Sequence, residues 1–236
     1  MRRRIAAALA CFATTALLAG CMGAEGKHAE ALLQRATLAQ DSVTSERFLL
    51  RAGIDVDGQS MTMVMQGGAY LKGKQAGDFY VTVSGSGVPE ISALDMTLTQ
   101  RGNVAAIRSD GRTERMSVPA AEDQFGSPTD MLEITRYVKS VSVDETTLRG
   151  RPADRIVGTL DTQAMLKSGG SLVKELLDSA GVHVGDIRAM LLVPRDTHLV
   201  QVTLADLDVT AHGEKAHMHL SLSVSDINKP VSIPQV

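Results

Sequence analysis

His212, His217 and His219 stand close together near the end of the chain. His217 and His219 are two apart on a segment that reads as a strand, so they share a face. His212 lies across the turn Gly213-Glu214-Lys215-Ala216, within pairing reach of His217. Three imidazoles in one hairpin supply a donor set for Zn²⁺ or Cu²⁺. However, Met218, Leu220, Leu222 and Val224 fill the alternate positions. The histidines then belong to a solvated face, where they need no ligand, and neither a metal nor another cofactor is expected.

Other chemistry fails on inspection. The segment from Gly68 to Gln75 has the spacing of a phosphate-binding loop. Its last position is Gln, which offers no hydroxyl to Mg²⁺, and a strand rather than a helix follows it. It reads as a hairpin turn. There is no G-x-S-x-G and no H-E-x-x-H. No Asp/Glu pair sits in an apolar run that would shift its pKa. The sequence is therefore not expected to be an enzyme.

The one cysteine with a clear role is Cys21. Arg2, Arg3 and Arg4 precede an apolar stretch from Ile5 to Leu18 and then small residues. Residues 1–20 read as a secretory signal peptide, too short for a stable membrane span. Leu18-Ala19-Gly20-Cys21 matches the lipobox of bacterial lipoproteins. The match implies cleavage before Cys21 and diacylation of its sulfur. Two or three acyl chains anchor stably, at about 0.8 kcal/mol per buried methylene. Cys11 leaves with the peptide, so no thiol remains for a disulfide, a metal or a nucleophile.

Charge and composition narrow the partners. The formal net charge of −3 becomes −6 once the three early arginines are removed. An acidic chain lacks the clustered cations that phosphate neutralisation needs, so nucleic acid is excluded. Trp is absent, and four Phe and three Tyr are too few for stacking platforms. The core must come from Leu, Val, Ala and 11 Met.

The remaining residues divide into elements by period. Residues 21–28 read as a short tether and 29–236 as one domain. Ala29 to Gln40 reads as a helix with Leu32, Leu33, Ala36 and Leu38 as its stripe. Beyond it the period is two. Phe48, Leu50, Ala52, Ile54 and Val56 alternate with polar or small residues, and Asp57-Gly58 marks a hairpin into Met61, Met63 and Met65. Phe79, Val81 and Val83 repeat the pattern, as do Leu94, Met96 and Leu98, with turns at Arg101-Gly102-Asn103 and Asp110-Gly111. Ser127-Pro128-Thr129-Asp130 reads as the start of a short helix through Val138. Val141–Leu148 and Asp154–Leu160 form a further hairpin. Thr162–Lys167 and Ser171–Ala180 read as helices split by Gly169-Gly170. The closing strands are Asp186–Val193, His198–Thr210 and Lys215–Val224. The result is an α+β domain: an antiparallel sheet with one apolar face covered by helices.

Three segments carry a resemblance. Pro194 to Val202, with Asp196, Thr197 and the Leu199–Val200 pair, is similar to a strand-turn-strand of the LppX/LprG-type bacterial lipoproteins. Ser225 to Pro234 is similar to their closing motif, and Leu148 to Asp161 resembles their central hairpin. The resemblance covers nearly all of the mature chain. It implies a LolA/LolB/LprG-like fold, a curved half-barrel whose concave face is covered by helices, with an apolar cavity between. It also implies a lipoprotein on the extracytoplasmic face of the cell membrane that binds acyl lipid or glycolipid and carries it within the cell envelope. The expected partners are that lipid, the membrane through the anchor, and a membrane transporter. The expected cavity lining is Met61, Met63, Met65, Phe79, Val81, Leu94, Met96 and Leu98 on the strands and Leu172 and Leu176 on the helical lid, hinged at Gly169-Gly170. Met suits such a lining because it is flexible and polarizable. The alternative is an anchored protein-interaction module with a filled core and no lipid ligand.

Overall fold

A computed structural model describes residues 26–56, 59–86, 94–119, 134–161, 164, 183–184, 187–211 and 214–236. It opens on helix α1, residues 26–40. Gly26, Lys27 and His28 are already helical rather than part of a tether. Ala29 and Ala36 are fully buried, and Leu32 and Leu33 pack beside Ala36. Leu38 does not join this stripe and is 64% exposed. Two residues on from Ala36 is a rotation of about 200°, which turns Leu38 to solvent.

The strands are β1 Ser45–Val56, β2 Gln59–Tyr70, β3 Phe79–Ser86, β4 Leu94–Arg101, β5 Val104–Ser109 and β6 Arg112–Ser117. A 3₁₀ turn over Ile134–Tyr137 leads to β7 Val138–Leu148, and β8 Arg151–Leu160 follows. The rest are β9 His183–Val184, β10 Ile187–Pro194, β11 Val202–Ala211 and β12 Glu214–Ser225. All pairings are antiparallel, in the order β6-β5-β4-β3-β2-β1-β12-β11-β10-β8-β7, with β9 alongside β11. The meander of the first half and the strands of the second half join where β1 meets β12.

The hairpins form where left-handed backbone was expected. Asp110-Gly111 and Arg149-Gly150 have positive φ at both positions, 51° and 73°, then 51° and 77°. Both are two-residue connections whose twist matches the flanking strands, closing the pairs Ser109–Arg112 and Leu148–Arg151. The Gly73–Gly77 segment is the expected turn into β3, closed by Gly77 N–H donating to the Tyr70 carbonyl at 2.8 Å. Several strand limits differ from expectation, and β8 begins at Arg151 rather than Asp154 because its turn is only two residues long. The strand predicted from His198 begins at Val202, because 195–197 turn and His198 has φ of 57°. Val138 opens β7 rather than closing a helix, and a register shift between Lys139 and Ser142 absorbs Ser140 at φ 53°.

Of the helices expected over the apolar face, α1 is the one described. The segment 120–133 and the proposed lid at 171–180 lie outside the described residues. The core forms two clusters on one face. The first joins Ala36 of α1 to Ile156, Leu160, Ala189, Leu191, Val193 and Leu207. Ile156 and Leu191 are fully buried, each contributing roughly 1.5–3 kcal/mol. The second joins Phe48, Ala69, Phe79, Val81, Val83 and Leu98. No helix among the described residues is long and apolar enough to cross a membrane.

Candidate ligand-binding faces of the sheet

Directly paired residues on neighbouring strands share a face, so the register decides which side chains meet. Leu50 pairs with Met65, Met65 with Val83, and Val83 with Met96. One step along, Phe48 pairs with Gly67, Gly67 with Val81, Val81 with Leu98, and Leu98 with Ile107. Met61 and Met63 extend this face opposite Ile54 and Ala52, and Phe79 extends it opposite Ala69. Leu94 takes its place by backbone pairing with Gly85. The sequence-predicted strand residues therefore lie together on one face. Phe79, Val81 and Leu98 are buried, whereas Met61, Met63, Met65 and Met96 keep partial exposure. Cys21, Leu172, Leu176 and Gly169-Gly170 lie outside the described residues.

Gly67 is what lets this face close. A Cβ there would stand 2.8 Å from Cζ of Phe48 and 2.1 Å from the Tyr80 carbonyl oxygen. The missing side chain makes room for the Phe48 ring above the strand.

The face is continuous but unevenly covered. Ala52 pairs with Leu220, Leu220 with Ala205, and Ala205 with Ala189, which carries the apolar row into the α1-covered cluster. Leu32, Leu33 and Ala36 pack on that end. The cluster holding Met63, Met65 and Met96 includes no residue of α1. At its margin sits Glu46, fully buried and taking a 3.2 Å hydrogen bond from Gln40 Nε2. Burial pushes its carboxyl up to about 7, against the lowering effect of that bond.

The opposite face was read in the sequence as merely solvated. It holds a groove of about 540 Å³ that crosses β1, β12, β11, β10 and β8. Arg51, Arg188 and Asp206 give it charge, His219 lines it as well, and Met190 and Leu204 give it an apolar floor. Asp206 pairs with His219 and Asp208 with His217. Nδ1 of His217 bonds Oδ1 of Asp208 at 2.7 Å, and Nδ1 of His219 contacts Oδ1 of Asp206. The Asp208 bond, helped by the charges of Asp208, Asp206 and Asp55, holds His217 above the usual histidine range. Period-two spacing alone does not find this cluster, because the acids and imidazoles come from different strands. His212 lies outside the described residues.

The architecture defines a class: a single large antiparallel sheet with one described helix, α1, against one end of its apolar face. The chain has the fold of the LppX/LprG-type lipoprotein structures. It is similar to the crystal structure of LprF from Mycobacterium bovis, with TM-score 0.58 and 12% identity, over 89% of this chain and 97% of that one. It is also similar to the crystal structure of the Mycobacterium tuberculosis lipoprotein LppX, with TM-score 0.51 and 14% identity, over 87% and 99%. No protein-family model matches the sequence, and no curated protein matches it.

Proposed function

We propose that the chain is a lipid-binding lipoprotein, acylated on Cys21 and held at the extracytoplasmic face of the membrane, that carries acyl lipid or glycolipid in an apolar cavity. The observation that carries this reading is the uneven cover of the apolar face. One end is packed by α1, while the cluster with the partly exposed Met63, Met65 and Met96 at the other end includes no residue of that helix. Apolar area left in water costs about 25 cal/mol per Å². A lipid tail carries a matching cost of about 0.8 kcal/mol per methylene, so enclosing one against the other removes both. The segment 171–180, with Leu172 and Leu176, is the lid in this reading, and Gly169-Gly170 its hinge. Met lets one lining accept chains of different shape. No catalytic step is part of the function. A membrane transporter that receives the lipid is the partner it calls for. The shared fold with LppX, itself a lipoprotein, points the same way.

The test is mass spectrometry of lipid extracted from non-acylated protein (Cys21→Ala) made in a lipid-producing host. Stoichiometric acyl lipid is expected. Met65→Glu should abolish it, because a carboxylate among the tails is desolvated without a partner. Met65→Leu should retain it. Folded wild-type protein that yields no lipid would overturn the reading.

A further inference from the structure

The structure assigns a zinc-class divalent metal site to Asp206, His217 and His219, on the face of the sheet away from the proposed lipid cavity and independent of it. One ligand atom from each residue lies within 4.8 Å of the other two. Zn²⁺ bonds nitrogen and oxygen at about 2.0–2.2 Å, so its tetrahedral ligands stand about 3.4 Å apart. Asp206 Oδ1 and His219 Nδ1 already touch, and an ion bound here would replace that contact.

The frame that holds the three groups is rigid. His217 and His219 project from the same face of β12, which has paired strands on both sides. Their rings meet edge to face, with centroids 4.4 Å apart at 83°. Asp206 is the direct cross-strand partner of His219, so backbone register rather than loop geometry sets the third ligand. Two strand imidazoles and a neighbouring carboxylate form a donor set suited to Zn²⁺ or Cu²⁺ and unsuited to Mg²⁺ or Ca²⁺, which prefer all-oxygen shells.

Two further observations fit a ligand site better than an incidental cluster. In the neutral ring, the Nδ1–H of His217 donating to Asp208 at 2.7 Å leaves Nε2 to bind a metal, which displaces any proton held there. A carboxylate behind a ligating imidazole also raises its basicity. On the other side of β12, His219 faces Gly53 of β1, where a Cβ would meet nothing within 4 Å. Open space therefore lies beside His219, in the groove that Gly53, Asp206 and His219 line. Three protein ligands with one open position leave the ion free to take water or a small anion.

The test is isothermal titration of ZnCl₂ into the tag-free chain, with histidine ring ¹⁵N spectra recorded at each step. One Zn²⁺ per chain is expected, with His217 and His219 resonances shifting and those of His28 and His198 unmoved. His217→Ala, His219→Ala and Asp206→Asn should each weaken binding at least tenfold. Asp208→Asn, which alters only the outer partner, should weaken it about tenfold or more. These side chains are exposed, so the variants should keep the wild-type thermal midpoint, which separates lost ligation from lost folding. Absence of saturable Zn²⁺ binding would overturn the assignment. So would unchanged affinity in His219→Ala, or Mg²⁺ binding as tightly as Zn²⁺.

Discussion

The hydroxyl of Tyr70 makes two hydrogen bonds to one residue, accepting from the Val231 amide at 2.9 Å and donating to the Val231 carbonyl at 3.0 Å. This ties the segment after the last strand back to the end of β2. Val231 is buried, and its Cγ1 sits where a Cβ on Gly68 would otherwise stand. Tyr70→Phe should cost about 1–2 kcal/mol by leaving both backbone groups without their partner. Thermal unfolding should read this as a drop of about 2–8 °C. Amide exchange should speed up in residues 228–233 and stay unchanged in β7 and β8. A unchanged midpoint with unchanged exchange would mean that the tail is held by its other bonds, those of Asn228 and Lys229 to Thr44 and Ser45.

Gly67 yields a second expectation. Its added Cβ would collide with backbone of Tyr80 as well as with the Phe48 ring, and backbone in a central ladder cannot step aside. Gly67→Ala should therefore destabilise by about 2–3 kcal/mol despite its small size. Phe48→Leu in the same chain should recover only a minor part, because it relieves only the contact to the ring. Urea denaturation of the single and double variants measures both.

These two residues also mark the limit of what the sequence discloses. Alternation at Phe79–Val83 and Leu94–Leu98 is sufficient to place strands and their apolar face, because side-chain direction repeats every two residues. Asp110-Gly111 discloses its hairpin because few residue pairs tolerate two left-handed positions, whereas Arg149 at φ 51° is not a residue type that signals one, and the sequence suggests a longer turn there. The pairing of Arg47 to Val56 with Ala216 to Ser225 is different. It joins segments far apart in the chain, and no local pattern encodes it. The Tyr70–Val231 clasp, which joins the end of β2 to the segment after β12, is hidden for the same reason. The solvated reading of the histidines was right about exposure and blind to the carboxylates that the neighbouring strand brings to them.

Glu46 gives a pH dependence of defined sign. Its folded pKa of about 7 lies above its ordinary value of 4.5, so the folded chain binds more protons than the unfolded chain between these limits. The contribution is fully present below about pH 4.5 and is lost as pH rises through about 7. A shift of this size corresponds to about 3 kcal/mol. The hydrogen bonding agrees, since Gln40 Oε1 and Glu46 Oε1 are both buried without a partner, and protonation supplies the hydrogen they lack. Glu46→Gln should flatten the decline in stability between pH 5 and about 8 while leaving stability at pH 5 within about 1 kcal/mol of wild type. Denaturation midpoints across that range are the measurement, and an equal slope in the variant would refute the role given to Glu46.

Arg195 separates a buried ion pair from an exposed one on a single side chain. It joins two of the segments that carry the family resemblance: its Nε bonds Asp154 of the β7–β8 hairpin at 2.8 Å, and its Nη2 bonds Glu145 at 2.8 Å. Asp154 is 9% exposed by side chain, whereas Glu145 is 84% exposed. Both bonds draw Glu145 and Arg195 toward their charged forms, but water competes strongly only at Glu145. Removing Glu145 strands no buried group, so Glu145→Gln should leave the unfolding midpoint close to that of the wild type. Arg195→Ala leaves the Asp154 carboxylate buried without its cation and should lower the unfolding midpoint clearly. Arg195→Ala combined with Asp154→Leu removes both partners and should recover most of that loss, because no unpaired charge remains. A cost for Glu145→Gln as large as that for Arg195→Ala would show that the exposed bond, not the buried one, holds the hairpin to the turn.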